Sequence, residues 1–142
     1  MAWMSYVDDA EDRMVFFDPG LIHRPGVRAL GKLTIIGVHC RMEPTGTFWH
    51  PAETEALDAL EDRLLEQLSR WGHGWAVYAA RVAFVQRRDY LVYHNDRADI
   101  QSAVKTVIGE FPDYRLESTS EDDPGWAMFS ELVRRRPPSS LL

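Results

Sequence analysis

The sequence is poor in the features from which chemistry is usually read. It has a single cysteine, Cys40. That excludes an internal disulfide and any metal site built on several thiolates, and it suits a reducing compartment. There is no Gly-rich phosphate loop, since Gly72-His73-Gly74 reads as a turn between elements. The start, MAWMSYVDDAEDR, is acidic and lacks the basic first segment and apolar centre of a secretion signal, so cytoplasmic residence is expected. Apolar runs such as residues 33–38 are far too short to cross a bilayer, and no membrane partner is expected. Basic residues are the minority, 16 Lys and Arg against 22 Asp and Glu, for a formal charge of -6. Phosphate backbones are repelled at long range, which disfavours nucleic-acid binding. No internal repeat is visible, and low complexity is confined to the tail from 134 to 142.

What is present is an ordinary globular composition. The chain has 142 residues, 45% hydrophobic and 27% charged. This suffices for one domain with its own core. Two short apolar pieces, 3–7 and 14–17, flank an acidic turn and predict an N-terminal hairpin. Turn signals follow at Asp18-Pro19-Gly20 and Pro25-Gly26. Strand-like sequence resumes at Val27 and is clearest over 33–42, where Thr34, Ile36, Val38, Cys40 and Met42 share one face. Glu43-Pro44-Thr45-Gly46 ends that strand.

A helix is expected over 51–70. Pro51 fits its first turn, Glu53 and Glu55 sit near the positive end of its dipole, and Leu57, Leu60, Leu64, Leu68 and Trp71 form its apolar stripe. The stretch 75–96 then reads as a second hairpin turning at Gln86-Arg87-Arg88-Asp89. Tyr78, Ala80, Val82 and Phe84 are placed on one face; Val77, Ala79, Arg81, Ala83 and Val85 are placed on the other. Asn95-Asp96 is the expected cap of a second helix with Ile100, Ala103, Val104, Val107 and Phe111 inward. Residues 114–117 form a short last strand. Asp122-Asp123-Pro124 starts a terminal helix, with Asp123 as cap, Pro124 in its first turn, and Trp126 and Phe129 as anchors on the sheet.

The order strand, helix, strand, strand, helix, strand is the ferredoxin-like βαββαβ core. The expectation is a single α+β domain over 1–142, with an N-terminal hairpin extension (1–26), the core (27–120), a C-terminal helix (121–136) and a tail (137–142). Two helices cover one face of such a sheet. Its second face, apolar apart from Arg81, needs another cover: the N-terminal strands, the terminal helix, or a homodimer.

Chemistry-bearing residues are sparse. His39 and Cys40 are adjacent on a strand and point to opposite faces; His23, His50, His73 and His94 are scattered, with no pair at metal-binding helical spacing. No metal, cofactor or catalytic residue is assigned. Packing suits Cys40, and the acidic groups read as helix faces and caps.

Several short matches converge on one resemblance. Trp3 and Tyr6, Leu60-Glu61-Asp62, Arg88-Asp89-Tyr90 with Tyr93, and Asp122-Asp123-Pro124-Gly125-Trp126-Ala127-Met128-Phe129 resemble the bacterial family called domain of unknown function 695. That family is similar to the regulator of ribonuclease E activity B, a ferredoxin-like inhibitor that binds the nuclease. The resemblance implies the same core fold and, distantly, a regulatory role. The sequence departs from those regulators in ending with Arg134-Arg135-Arg136-Pro137-Pro138.

Three functions follow as expectations. The leading one is a non-enzymatic regulatory domain that binds a basic protein, such as a nuclease, through Asp58, Glu61, Asp62, Glu66, Glu121, Asp122 and Asp123. The alternative is a small-ligand module or minor enzyme using the second sheet face around Arg81. The third is RNA binding through Arg87, Arg88, Tyr90 and Tyr93.

Overall fold

A computed structural model describes residues 3–45 and 48–137. The expected tail lies outside them beyond Pro137, and the expected turn after the third strand is described as far as Thr45. Six strands and three helices follow in order: β1 (Met4–Asp8), β2 (Arg13–Phe17), β3 (Lys32–His39), α1 (Thr54–Gly72), β4 (Ala76–Phe84), β5 (Arg87–His94), α2 (Ile100–Glu110), β6 (Arg115–Asp122) and α3 (Ala127–Arg134). The chain is α+β. All strands join one antiparallel sheet in the order β1-β2-β4-β5-β3-β6. Within the last four, β5 separates β3 from β4, and β3 separates β5 from β6. Each β-α-β unit is therefore split by a strand of the other, the interleaving expected of the ferredoxin-like arrangement.

Local signals explain most of the elements. The N-terminal hairpin extends the sheet by pairing β2 with β4, Phe16 opposite Arg81 and Phe17 opposite Ala80. Pro51 opens a short 3-10 turn, Pro51–Glu53, that leads into α1. The helix stops at His73, in the left-handed region, followed by Gly74 at φ 81°.

Some boundaries differ from expectation. Val27 lies in a 3-10 turn, Val27–Ala29, so β3 starts at Lys32. The tip of the central hairpin is Val85-Gln86, with Gln86 at φ 64°, and this places Arg87 and Arg88 within β5. Asp99, not Asn95 or Asp96, caps α2, accepting from the Ser102 amide at 3.1 Å; Asn95 instead accepts from the Arg97 amide and shapes the preceding turn. The last strand runs to Asp122 because pairing with β3 supplies bonds that its polar sequence does not advertise.

The sheet has a core on each side. On one, α1 and α2 cover Ile36, Val38, Tyr90 and Val92 with Leu57, Leu60, Leu64, Ile100, Val104 and Val107. On the other, Val15, Phe17, Leu33, Val82, Leu91 and Tyr93 are covered by Trp126, Phe129 and Leu132 and by Leu21, Val27 and Leu30. The second face is closed within the chain. A homodimer is not needed to cover it.

Trp126 is the centre of that cover. Its ring stacks on Tyr93 at 3.9 Å between centroids, Phe129 meets it edge-on at 5.5 Å, and its Nε1–H donates to the Leu30 carbonyl at 2.8 Å. Asp123 caps the helix as expected, accepting from the Ala127 and Met128 amides and from the Tyr93 hydroxyl. Pro124 is not in the first helical turn. A turn closed by the Trp126 amide on the Asp123 carbonyl intervenes, so Pro124 lies exposed and Trp126 itself precedes the helix at φ 55°. Tyr6 of β1 ties the helix down from the other end, donating to the Leu132 carbonyl at 2.5 Å.

Trp126→Ala removes the stack, the edge contact and the indole donor together. The expected loss is about 3–5 kcal/mol of unfolding free energy, as for other buried aromatic truncations. Urea denaturation measures it, and a near-wild-type midpoint would show that α3 is not what seals this face.

Candidate binding site

A one-residue irregularity decides where the polar residues of β4 point. The register with β5 slips between Tyr78, opposite Val92, and Ala80, opposite Leu91, leaving Ala79 as an extra residue. Such a bulge breaks the two-residue alternation. Tyr78 and Arg81 thereby share the helix-covered face, while Val77, Ala80 and Val82 serve the other. Arg81 is not on the second face, as the alternation predicted, and that face is packed shut around Trp126 and Phe129.

On the helix side, Arg81 meets Glu61 of α1 at 2.7 Å, with both side chains mostly buried. The Phe16 ring lies against its guanidinium, 4.1 Å from the centroid. Burial would lower the Arg81 pKa, but the hydrogen bond and charge of Glu61 outweigh it and the pKa is raised. The neighbouring Tyr78 hydroxyl is held well above its usual range by burial and by the Glu61 charge.

Beside this pair lies a cavity of about 620 Å³. Trp3, Phe16, Leu21, Leu65, Val77 and Tyr78 supply its apolar wall; Arg81–Glu61 stands at one side and Arg24–Asp18, paired at 2.9 Å, at another. Its position follows from strand lengths. β2 ends opposite Ala80, so the first residues of β4 run on past it, and the chain after Phe17 turns away across the gap. Trp3 lies over Tyr78 with ring centroids 5.1 Å apart.

Deeper under α1 is a second guanidinium. Arg88 faces the same side as Tyr90 and Arg81, and Tyr90 is the cross-strand partner of Arg81. The Arg88 side chain is 1% exposed, sandwiched against the Trp49 ring at 4.3 Å and 3.8 Å from an Asp58 carboxylate oxygen that is itself largely in solvent. Arg81 Nε, Arg88 Nε and Nη1 and the Tyr90 hydroxyl are buried here without a well-aligned hydrogen bond among the described residues, and Arg88 lies close enough to the Tyr90 hydroxyl to oppose the rise in its pKa that burial causes.

The expected acidic surface is dispersed. Glu61 is taken by Arg81; Glu66 pairs with Arg63, which also reaches Glu110 of α2. Asp58 and Asp62, with Glu55, rim a shallow depression on the outer side of α1. Glu121 and Asp122 lie at the end of β6, with Asp122 4.0 Å from Lys32, and Asp123 is committed to its cap. Of the expected RNA-contacting residues only Arg87 is exposed; Arg88, Tyr90 and Tyr93 are core. No group of three or more His, Cys, Asp or Glu among the described residues could hold a metal ion. Cys40 is buried and its thiol pKa is raised by that burial and by nearby Glu53, which argues against a reactive thiolate.

Two buried polar features were not foreseen. Glu53 accepts from the Arg41 and Met42 amides and the Tyr114 hydroxyl, a cradle that outweighs its burial and holds its carboxyl pKa low. Nothing in the sequence marks it, because its donors lie 11 and more residues away. His94 Nδ1–H donates to the Asn95 carbonyl, leaving Nε2 to accept from Thr34, whose oxygen in turn accepts from Ser120.

The architecture thus defines a split-β-α-β sheet domain with a mixed apolar and charged concavity at one sheet end. A family model described as "Family of unknown function (DUF695)" matches residues 2–133, and the chain belongs to that family. No curated protein and no solved structure matches the chain.

Burial depresses the His94 pKa below its ordinary 6.5. The neutral ring is the folded form, so its stabilisation is complete above about pH 6.5 and is lost as pH falls from there through the folded value. Denaturant midpoints taken between about pH 7.5 and pH 5.5 should fall with acidity. In His94→Gln, which keeps an acceptor for Thr34, that slope should flatten.

Proposed function

We propose that this chain is a binding domain, not an enzyme, and that it recognises a small ligand in the Arg81 cavity. The observation that carries the reading is the combination at that place. A concavity of about 620 Å³ falls within the common range for ligand sites, about 300–1,000 Å³, and is walled by aromatic and aliphatic side chains with few converging charged groups. Arg81 lines the cavity and spends Nη1 on Glu61, which leaves its fork further N–H donors to offer. The wall favours a ligand with an apolar, ring-sized body. Trp3 and Tyr78, tilted against each other with centroids 5.1 Å apart, supply an aromatic wall for it. A cytoplasmic setting suits the single reduced cysteine.

A second reading keeps a basic protein partner, now on the outer side of α1. Glu55, Asp58 and Asp62 rim one depression there and are exposed, which supports a regulatory contact steered by charge. Its mark is salt dependence of a captured partner, reduced by Asp58→Lys with Asp62→Lys.

The cavity reading is tested by ligand-detected NMR against a library of small aromatic acids, amides and amines. Binders should compete with one another and quench Trp3 emission. Leu65→Trp, which fills the cavity, should weaken them about tenfold or more while leaving the fold intact, since lost apolar contact of this size is worth on the order of 1–3 kcal/mol. Binding that ignores Leu65→Trp would place the site elsewhere.

A further inference from the structure

We infer that the ligand of this cavity is a neutral molecule whose primary carboxamide, or the lactam edge of a ring, spans the Glu61–Arg81 pair. The inference rests on the cavity reading above and adds the chemistry of the ligand's polar end. The ligand's carbonyl accepts from Arg81, and its N–H donates to Glu61.

The ground is an ion pair made by one bond only. Arg81 Nη1 donates to Glu61 Oε1 at 2.7 Å, and no second bond joins the two groups. Arginine and carboxylate often pair through two parallel bonds. Here Arg81 Nη2 and Glu61 Oε2 have no hydrogen-bond partner among the described residues, and neither is one of the polar atoms shut away from solvent without a partner. The two side chains are 16% and 18% exposed, and both line the cavity. One open donor and one open acceptor thus stand at a single junction on its wall. The Phe16 ring lies over the guanidinium at 4.1 Å, so a ligand reaches Arg81 at its edge, where the N–H groups point.

Charge selects a neutral ligand. The cavity is lined by two cations, Arg24 and Arg81, and two anions, Asp18 and Glu61, paired at 2.9 Å and 2.7 Å. Both Asp18 oxygens are engaged, Oδ1 by the Gly20 amide and Oδ2 by Arg24. Behind the wall, the buried cation Arg88 is matched by the buried anion Glu53, with Asp58 3.8 Å from it besides. No cationic surplus calls for an anion. An ionised ligand would lose its hydration with no unpaired countercharge on the wall to replace it, whereas an amide loses far less and recovers it in two hydrogen bonds. A primary amide and a lactam both hold C=O and N–H on one edge. A trans secondary amide turns them to opposite sides and cannot reach both atoms.

The test uses the full chain with phenylacetamide, the lactam oxindole, N-methylphenylacetamide, phenylacetate and 2-phenylethylamine, with dissociation constants from ligand-detected NMR titration. Phenylacetamide and oxindole should bind best. The acid and the amine should bind about tenfold more weakly or worse, and so should the N-methyl amide, whose trans N–H points away from Glu61. Glu61→Gln is the second arm. It keeps an acceptor for Arg81 but leaves the guanidinium charge uncompensated, so the preference should reverse and phenylacetate should outbind phenylacetamide. If that variant does not fold, the wild-type constants decide alone.

Phenylacetate or 2-phenylethylamine binding the wild-type protein as tightly as phenylacetamide would overturn the inference and leave the cavity reading standing. So would oxindole and phenylacetamide binding no better than the N-methyl amide, or an unchanged acid-to-amide ratio in a folded Glu61→Gln protein. If none of these probes binds while other library compounds do and respond to Leu65→Trp, the carboxamide inference falls and the cavity reading survives. If nothing binds, both fall.

Discussion

Everything in this molecule depends on covering the second face of the sheet. Two helices reach only one side, and the other presents Val15, Phe17, Leu33, Val82 and Leu91, too much apolar surface to leave in water. The solution turns on one carboxylate. Asp123 holds the first amides of α3 and the Tyr93 hydroxyl at once, which sets the helix where Trp126 can lie flat on the Tyr93 ring. Backbone strain is accepted to do it, for Trp126 sits in the left-handed region that only glycine occupies freely.

The bulge at Ala79 has the opposite character: it opens rather than seals. By turning Tyr78 and Arg81 toward α1 it moves a guanidinium out of an apolar interior and into reach of Glu61. It also gathers Arg81, Arg88, Tyr78 and Tyr90 under one helix. Sheets use such irregularities to re-aim side chains, and here the re-aimed residue joins the cavity wall.

This explains what could be read in advance and what could not. Element types and order were legible because they rest on local patterns: the leucine stripe of α1, the apolar stripe of α2, the alternation of β3, the aspartate-proline signature before α3. The order of the last four strands follows from those elements and chain connectivity, whereas the pairing of β2 with β4, which extends the sheet where the N-terminal strands were expected as a cover for its second face, has no local signal. Arg81 was misplaced because alternation carries no sign of an extra residue, and Arg88 because a hairpin tip shifted by two residues turns an exposed basic pair into one exposed and one buried arginine. The acids of α1 were correctly on a helix. Which of them face water is a tertiary matter, decided by what stands opposite: Arg81 for Glu61, Arg63 for Glu66, solvent for Asp62.

The bond from Tyr6 to Leu132 joins residues 126 positions apart, and the ion pairs of Arg135 with Asp8 and Glu11 join the same two ends. Loop-closure entropy grows with the length of chain enclosed, so these contacts gain most once the sheet between them has already shortened the loop. Trp3, which stands just before β1 and lines the concavity, therefore adjoins a strand that is anchored to α3 as well as to β2, so the same helix that seals the second face also braces one wall of the concavity.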